Sequence, residues 1–467
     1  MKKSVIFGTT AAILVIGSSL GGGYIYLQHQ LHNRLDAGIK MLEQSFPGSS
    51  IVYDRSVTNV FTRSAILEKV KIKGQSGQLY TMDKLNIKSG SRNGLMSATI
   101  DNFETKIDSD LMMNNGQIHV DHIDLNNFVP RKDLLDIDAS GKIKSVYFSK
   151  AKFDLLNLKN ITMKLSSGSE KIAIAQYQIK NYGLDRKSDQ TLNDFRYYDK
   201  VNNRDNYFNI QSLQIKDLSF AKFFQNIENG KTFEFASDEP KLFHIKNVEL
   251  KIDAARYQLG DMQISTEKDG KNRLFRGNKF DNLQLQTDSD PRLYALKQYG
   301  YDQLNIFGNL SAQYHYDLQE WNLEPFQIGA NNIGNVKINA RVKGPEKPSA
   351  NNEMAMINDY KIVSFTMHFR DDGLIQHLAD LKSREKNESV DQIKQEWIED
   401  LQKPDRDFPE LSKQAGNAVI DVIHHPDHEL TIEVNPDKPY SFLDLTSYNA
   451  SQIIDHLNIK VHSDSKH

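Results

Sequence analysis

The chain contains no cysteine. That excludes a disulfide framework, a thiolate metal site, a cysteine nucleophile and a lipid anchor on cysteine. Cohesion has to come from burial and hydrogen bonding alone. A basic excess is also missing: 58 Lys and Arg stand against 61 Asp and Glu, for a net charge of -3. With no surplus of cations to neutralise phosphates, no nucleic-acid partner is expected. There is no phosphate loop, no dinucleotide fingerprint and no Gly-x-Ser-x-Gly elbow. Beyond residue 27 no second long apolar run occurs. Tryptophan is scarce, and Trp321 and Trp397 read as core anchors rather than ligand platforms.

The one long apolar run is at the start. Lys2 and Lys3 precede an almost uncharged stretch over residues 4–27, enough for the about 20 residues that cross a bilayer. Gly17, Ser18 and Ser19 would suit a signal peptidase. Tyr24, Ile25, Tyr26 and Leu27 instead continue the run and set two tyrosines at interface depth, as a retained anchor does. The reading is a membrane anchor with the N-terminus inside, a cleaved signal being the alternative. Leu27, Leu31, Leu35, Ile39, Leu42 and Phe46 then recur at helical steps until Pro47-Gly48, which predicts an amphipathic stalk helix.

From about residue 51 the period changes to two. Val70 and Ile72 alternate with Lys69, Lys71 and Lys73; Val336, Ile338, Ala340 and Val342 alternate with Asn335, Lys337, Asn339 and Arg341. Such strands have one apolar and one wet face, as in antiparallel sheet. A pattern hydrophobic-x-x-hydrophobic-x-hydrophobic begins at Leu67, Met82, Val120, Leu158, Ile210, Ile245 and Phe280, with several starts 35 to 38 residues apart. That spacing fits a strand-pair repeat. The Asn or Lys before the second hydrophobic suggests a bulge that returns the face inward. The polar stretch 183–209 reads as a surface loop with one short helix.

Gly344-Pro345 opens a boundary, and from Lys361 the texture becomes α+β. Ser389 and Gln392 form a capping box before a helix with Val390, Ile393, Trp397 and Leu401 on its apolar face. The expected fold is mainly β. Residues 1–27 are the anchor or signal and 28–50 the stalk helix. Residues 51–344 form a long antiparallel amphipathic body, either a curled sheet or a sandwich; 345–360 are a linker and 361–467 a smaller α+β unit.

This organisation resembles the AsmA-like and YdgA-like bacterial envelope proteins. Val52-Tyr53-Asp54-Arg55 followed by Val60-Phe61-Thr62-Arg63-Ser64 is similar to the opening strand pair of the YdgA-like group. The stretches 308–316, 321–328 and 334–344 are similar to a three-strand meander that recurs in such proteins. The resemblance implies a Gram-negative inner-membrane protein with a periplasmic body and a role in envelope homeostasis. In the larger AsmA-like relatives it implies a β groove shielding lipid acyl chains; this chain is short for a conduit across the periplasm. No functional residue is carried over.

Chemistry-bearing clusters are few. His424, His425, Asp427, His428 and Glu429 are ligand types that zinc favours, yet adjacent histidines around Pro426 more commonly make a solvated helix-to-strand turn. His119 and His122 should point to opposite faces of a strand, separating them with Asp121 from any common site. Asp371 and Asp372 before Gly373 read as turn and N-cap residues. No catalytic, cofactor or metal residue is assigned, and no enzyme activity is expected. The expected partners are the inner membrane through residues 4–27, phospholipid or lipopolysaccharide acyl chains along an apolar β face, and other envelope proteins. A scaffold that binds envelope proteins without lipid is the alternative, and a hydrolase with an unrecognised site the third reading.

Overall fold

The computed structural model describes residues 50–465 apart from connecting segments, the longest being 231–240 and 347–358. The expected anchor, and the stalk helix up to residue 49, lie outside the described residues. Among the described residues no helix is long and apolar enough to cross a membrane. The fold is mainly β: twenty strands hydrogen-bond antiparallel in open sheet, a two-stranded hairpin stands apart, and most helices come late. The chain divides into two compact units, Met1–Asp253 and Ala254–His467.

In the first unit β1 (Ser50–Val52) and β2 (Arg55–Asn59) both pair with β3 (Ser64–Lys73). The meander continues through β4 (Leu79–Ser89), β5 (Met96–Ile107) and β6 (Gly116–Phe128). A small hairpin, β7 (Leu135–Ile137) and β8 (Ile143–Val146), intervenes before β9 (Phe153–Leu165) returns to β6. Then come β10 (Lys171–Tyr182), β11 (Ser188–Val201), β12 (Arg204–Leu218), helix α1 (Phe220–Glu228) and β13 (Leu242–Ile252).

Register turns the period-two pattern into transverse rows. Leu67 lies opposite Leu85, which lies opposite Ile100; the row continues through Ile123, Leu158 and Tyr177. All but Tyr177 are 1–3% exposed, and Phe103, Ile118, Val120 and Phe128 are fully buried. Among the described residues the only other sheet of the unit is the two-stranded β7–β8 hairpin, and the inward residues of β3–β11 pack into one apolar cluster. Each fully buried aliphatic or Phe side chain contributes about 1.5–3 kcal/mol. Helix α1 and the single turn Phe148–Lys150 close one end. Tyr182 stacks on Phe153 at 4.8 Å and donates its hydroxyl to the Phe148 carbonyl at 3.0 Å, while the Ser149 N–H donates to Glu228 Oε1 at 3.1 Å.

A second row explains the six-residue pattern. Lys69, Asn102, Asn160, Asp194 and Asn247 have φ of 53°, 53°, 52°, 50° and 47°. They occupy every second strand, β3, β5, β9, β11 and β13, and the register aligns them across the sheet with Asp83, Asp121, Ala175 and Gln211 of the intervening strands. In an unbroken strand, residues three apart point to opposite faces. Here the left-handed residue slips the phase, so Leu67 and Val70, Ile100 and Phe103, and Leu158 and Ile161 all point inward. The slips lie 33 residues apart from Lys69 to Asn102, 34 from Asn160 to Asp194 and 35 from Asn247 to Asn282, one hairpin per step.

On the wet side of that row Lys69 Nζ donates to Asp83 at 2.6 Å, Asn102 Nδ2 to Asp83 at 2.7 Å and Asn160 Nδ2 to Asp121 at 2.8 Å. These bonds hold both carboxyls below the usual carboxylate range, Asp83 chiefly through Lys69 and Asp121 chiefly through Asn160. A depressed folded-state pKa gives stability that is present above the unfolded value of about 3.9 and is lost as pH falls through the folded value. The thermal midpoint should therefore drop between pH 5 and pH 3. Asp83→Asn together with Asp121→Asn should flatten that drop, which is small because the pairs are exposed.

The stretch 183–209 is not a loop with a helix. It forms most of the β11–β12 hairpin. The slip at Asp194 breaks the alternation, so the inward Leu192 and Phe195 stand three apart amid outward polar residues.

The second unit holds β14 (Ala255–Asp269), β15 (Arg273–Gln286), α2 (Tyr294–Gln298), β16 (Gln303–His315), β17 (Glu320–Ala330), β18 (Gly334–Lys343) and β19 (Lys361–Asp371). Helices α3 (Leu374–Lys386), α4 (Val390–Leu401) and α5 (Pro409–His424) follow, then β20 (His428–Val434), β21 (Tyr440–Ser441), α6 (Phe442–Leu445), α7 (Ala450–Leu457) and β22 (Ile459–Ser465). Strands β14–β18 form a meander. Residues 345–360 join β18 to β19, which pair along their whole length, and β19 pairs on to β20 and β20 to β22. The capping box forms as the spacing predicts: Ser389 N–H donates to Gln392 Oε1 at 2.8 Å and Gln392 N–H to Ser389 Oγ at 3.3 Å.

Candidate functional site

The second unit carries an amphipathic sheet whose apolar face is not shut. Register places Leu430, Phe369, Val336 and Ile328 in one transverse row. The next row is Ile432, Met367, Ile338, Phe326 and Leu310. A third joins Val434, Phe365, Ala340, Leu323 and Ala312. Most of these residues are only half-buried and Ile328 is 43% exposed, against zero for Phe103 in the first unit. Between them on the opposite face stand Lys337, Arg341, Thr366 and His368. Gly308 continues the first row beyond Ile328, and the Phe280 ring opposite it leaves no room for a Cβ, which would lie 2.3 Å away.

Helix α5 covers the β20–β22 end of this sheet. Gln414 Oε1 accepts the Val461 N–H at 3.3 Å, and Ser463 Oγ donates to Asp421 at 2.6 Å. At the rim Trp321 packs on Tyr314 at 4.9 Å and donates Nε1–H to the Pro345 carbonyl at 3.3 Å, with the Arg276 guanidinium 5.6 Å from its ring. Trp397 is half-buried on α4, beside the buried Ile393 and Ile398.

The polar clusters fall into place separately. Asp371 is buried, and its carboxylate accepts the Ile375 N–H at 3.1 Å; Asp372 takes Arg370 in two bonds of 2.8 and 3.1 Å. Asp371 thus holds the first turn of α3, while Asp372 is a turn residue paired with Arg370; the N-cap position is Gly373, with no side-chain cap. His119 and His122 do not point to opposite faces: the phase slip leaves both on the wet side of β6, since Val120 and Ile123 are both buried. They still form two separate pairs, His119 with Asp121 and Glu104, His122 with Asp101 at 2.7 Å. His425, Pro426 and Asp427 form the turn from α5 to β20. There Asp421 accepts from His428 Nδ1 at 2.6 Å, which raises the imidazole pKa above the ordinary histidine value. The Asp421 carboxyl is lowered by Ser463 and then by His428.

The fold class this defines is an open antiparallel sheet with a closed apolar core in one unit and a half-exposed apolar face in the other. A family model described only as "Uncharacterized protein" matches residues 327–464, from within β17 to β22. No curated protein and no solved structure matches this chain.

Sequence reasoning found the apolar residues of β18 but not the rows. Those depend on the register of strands as far apart in the chain as β16 and β20, which no local pattern contains.

Proposed function

We propose that this chain is a non-enzymatic envelope protein, held at a bacterial inner membrane by residues 4–27, whose β16–β20 face takes the acyl chains of phospholipid or lipopolysaccharide. The observation that carries this reading is the half-exposed apolar face. A sheet face lined by Ile, Leu, Val, Phe and Met must be covered by a sheet, by helices or by a ligand. Here α5 lies over its β20–β22 end. The five strands β16–β20 at about 4.8 Å spacing give rows roughly 19 Å long, and the acyl chains of one leaflet span about half of 30 Å. Each methylene buried contributes about 0.8 kcal/mol. The apolar run at residues 4–27 and the AsmA-like, YdgA-like texture support placing the body in the periplasm, with a part in envelope homeostasis.

The test compares lipid extracted from purified full-length chain with lipid from Ile338→Glu/Met367→Glu and from Lys337→Glu, whose charge lies on the wet face. Wild type and Lys337→Glu should carry at least one further lipid per chain than the double variant. Equal lipid in all three would overturn the lipid reading. Loss of a co-purifying envelope protein instead, in the double variant alone, would put the scaffold reading in its place.

A further inference from the structure

The turn between α5 and β20 brings together ligand atoms that nothing in the acyl-chain reading uses. His425, Asp427 and His428 each present one donor atom, and these atoms all lie within 4.8 Å of one another. The backbone sets this spacing. The His425 N–H still bonds back to the Asp421 carbonyl at 2.7 Å, as a last helical bond, and the His428 N–H bonds to the His425 carbonyl at 2.9 Å. Pro426 between them fixes one φ of the turn. The two imidazoles therefore face each other, with ring centroids 4.9 Å apart.

His428 is also oriented from behind. Its Nδ1 is engaged by Asp421 at 2.6 Å, and the same carboxylate oxygen accepts from Ser463 Oγ of β22 at 2.6 Å. With Nδ1 taken, Nε2 is the atom left for a ligand. A carboxylate that fixes the ring and tautomer of a ligating histidine is the usual outer partner at metal sites. Asp421 lies 4.0 Å from His425 Nε2, beyond hydrogen-bond distance, so its orienting contact is with His428. A solvated turn needs its backbone bonds, but it does not need two histidines and an aspartate converging, or a carboxylate positioned by a neighbouring strand.

We propose that this turn binds one divalent transition-metal ion of the zinc class through His425, Asp427 and His428, with Asp421 and Ser463 as positioning residues. Two imidazoles and one carboxylate suit zinc, leave a fourth position for water, and discriminate against magnesium, which favours oxygen ligands. Bound metal would clip the end of α5 to the start of β20.

The test is titration of the full-length chain with zinc chloride by calorimetry, paralleled by thermal unfolding. One ion per chain should bind and raise the midpoint as ligand linkage requires, and a thousandfold excess of magnesium should leave the isotherm unchanged. His425→Ala with Asp427→Asn should abolish that binding while keeping the metal-free midpoint, because both side chains are exposed. Asp421→Asn should weaken it about 10–100-fold. His119→Ala, at an unrelated histidine, should bind as wild type does. No stoichiometric binding, or binding unchanged in the His425/Asp427 variant, would overturn the proposal.

Discussion

Phe103→Ala should lower stability by about 3–5 kcal/mol, the cost of truncating a fully buried aromatic in a site that cannot collapse. Phe103 is at 0% exposure on β5, opposite Val120 and one residue beyond the slip at Asn102. Its neighbours Tyr80, at 6.2 Å between ring centroids, and Val120 are held by strands on either side, so the void persists. Phe326→Ala, on the half-buried face of β17, should cost only about 1 kcal/mol, because that ring already contacts solvent. The comparison is made as the shift in urea midpoint by far-ultraviolet circular dichroism at unchanged slope. Equal losses at the two positions would mean that the second unit's face is as closed as the first unit's core.

Asn160→Val should destabilise by about 1–3 kcal/mol, while Asn160→Gly should be close to neutral. In a regular strand the order would be reversed, since Val is favoured there and Gly disfavoured. Asn160 has φ 52° on β9, where a β-branched side chain is strained and Gly is not. Both variants lose the exposed 2.8 Å bond from Asn160 Nδ2 to Asp121, so the backbone conformation alone separates them. The measurement is again the urea midpoint. A tolerated Val with a costly Gly would show that the strand runs straight through residue 160 and that the phase slip is not real.

The same residue shows how far the sequence could be read. The hydrophobic-x-x-hydrophobic-x-hydrophobic pattern, with Asn or Lys in third place, pointed to a bend at Lys69, Lys84, Asn160, Asn247 and Asn282; all but Lys84, on the strand between two slips, have positive φ. It did not expose Asn102, whose strand carries Thr105 in sixth place. It did not expose Asp194 either, and there the strand itself was lost among polar neighbours. Local patterns also marked β18, the capping box at Ser389 and the helix-to-strand turn at His424 and His425. The difference between a shut core and an open face could not be read, because Leu67 and Ile338 both sit in strands that set apolar residues on one face and polar residues on the other, Leu67 beside the slip at Lys69. What separates them is whether the apolar side is covered, a property of many strands together. The donor group at His425, Asp427 and His428 was visible as residue types. Its outer partner Ser463 comes from β22, and only folding brings it to Asp421.

The account's central claim is that acyl chains lie on the apolar side of β18 and not on its wet side. A photo-crosslinking amino acid placed at Ile338, and separately at Lys337, in the full-length chain within its native membrane tests this directly. One residue of displacement turns the probe from one face to the other. The account predicts lipid adducts, detected by mass spectrometry after irradiation, from position 338 and none from 337. Lipid adducts in equal yield from both positions, or none from 338, would contradict it.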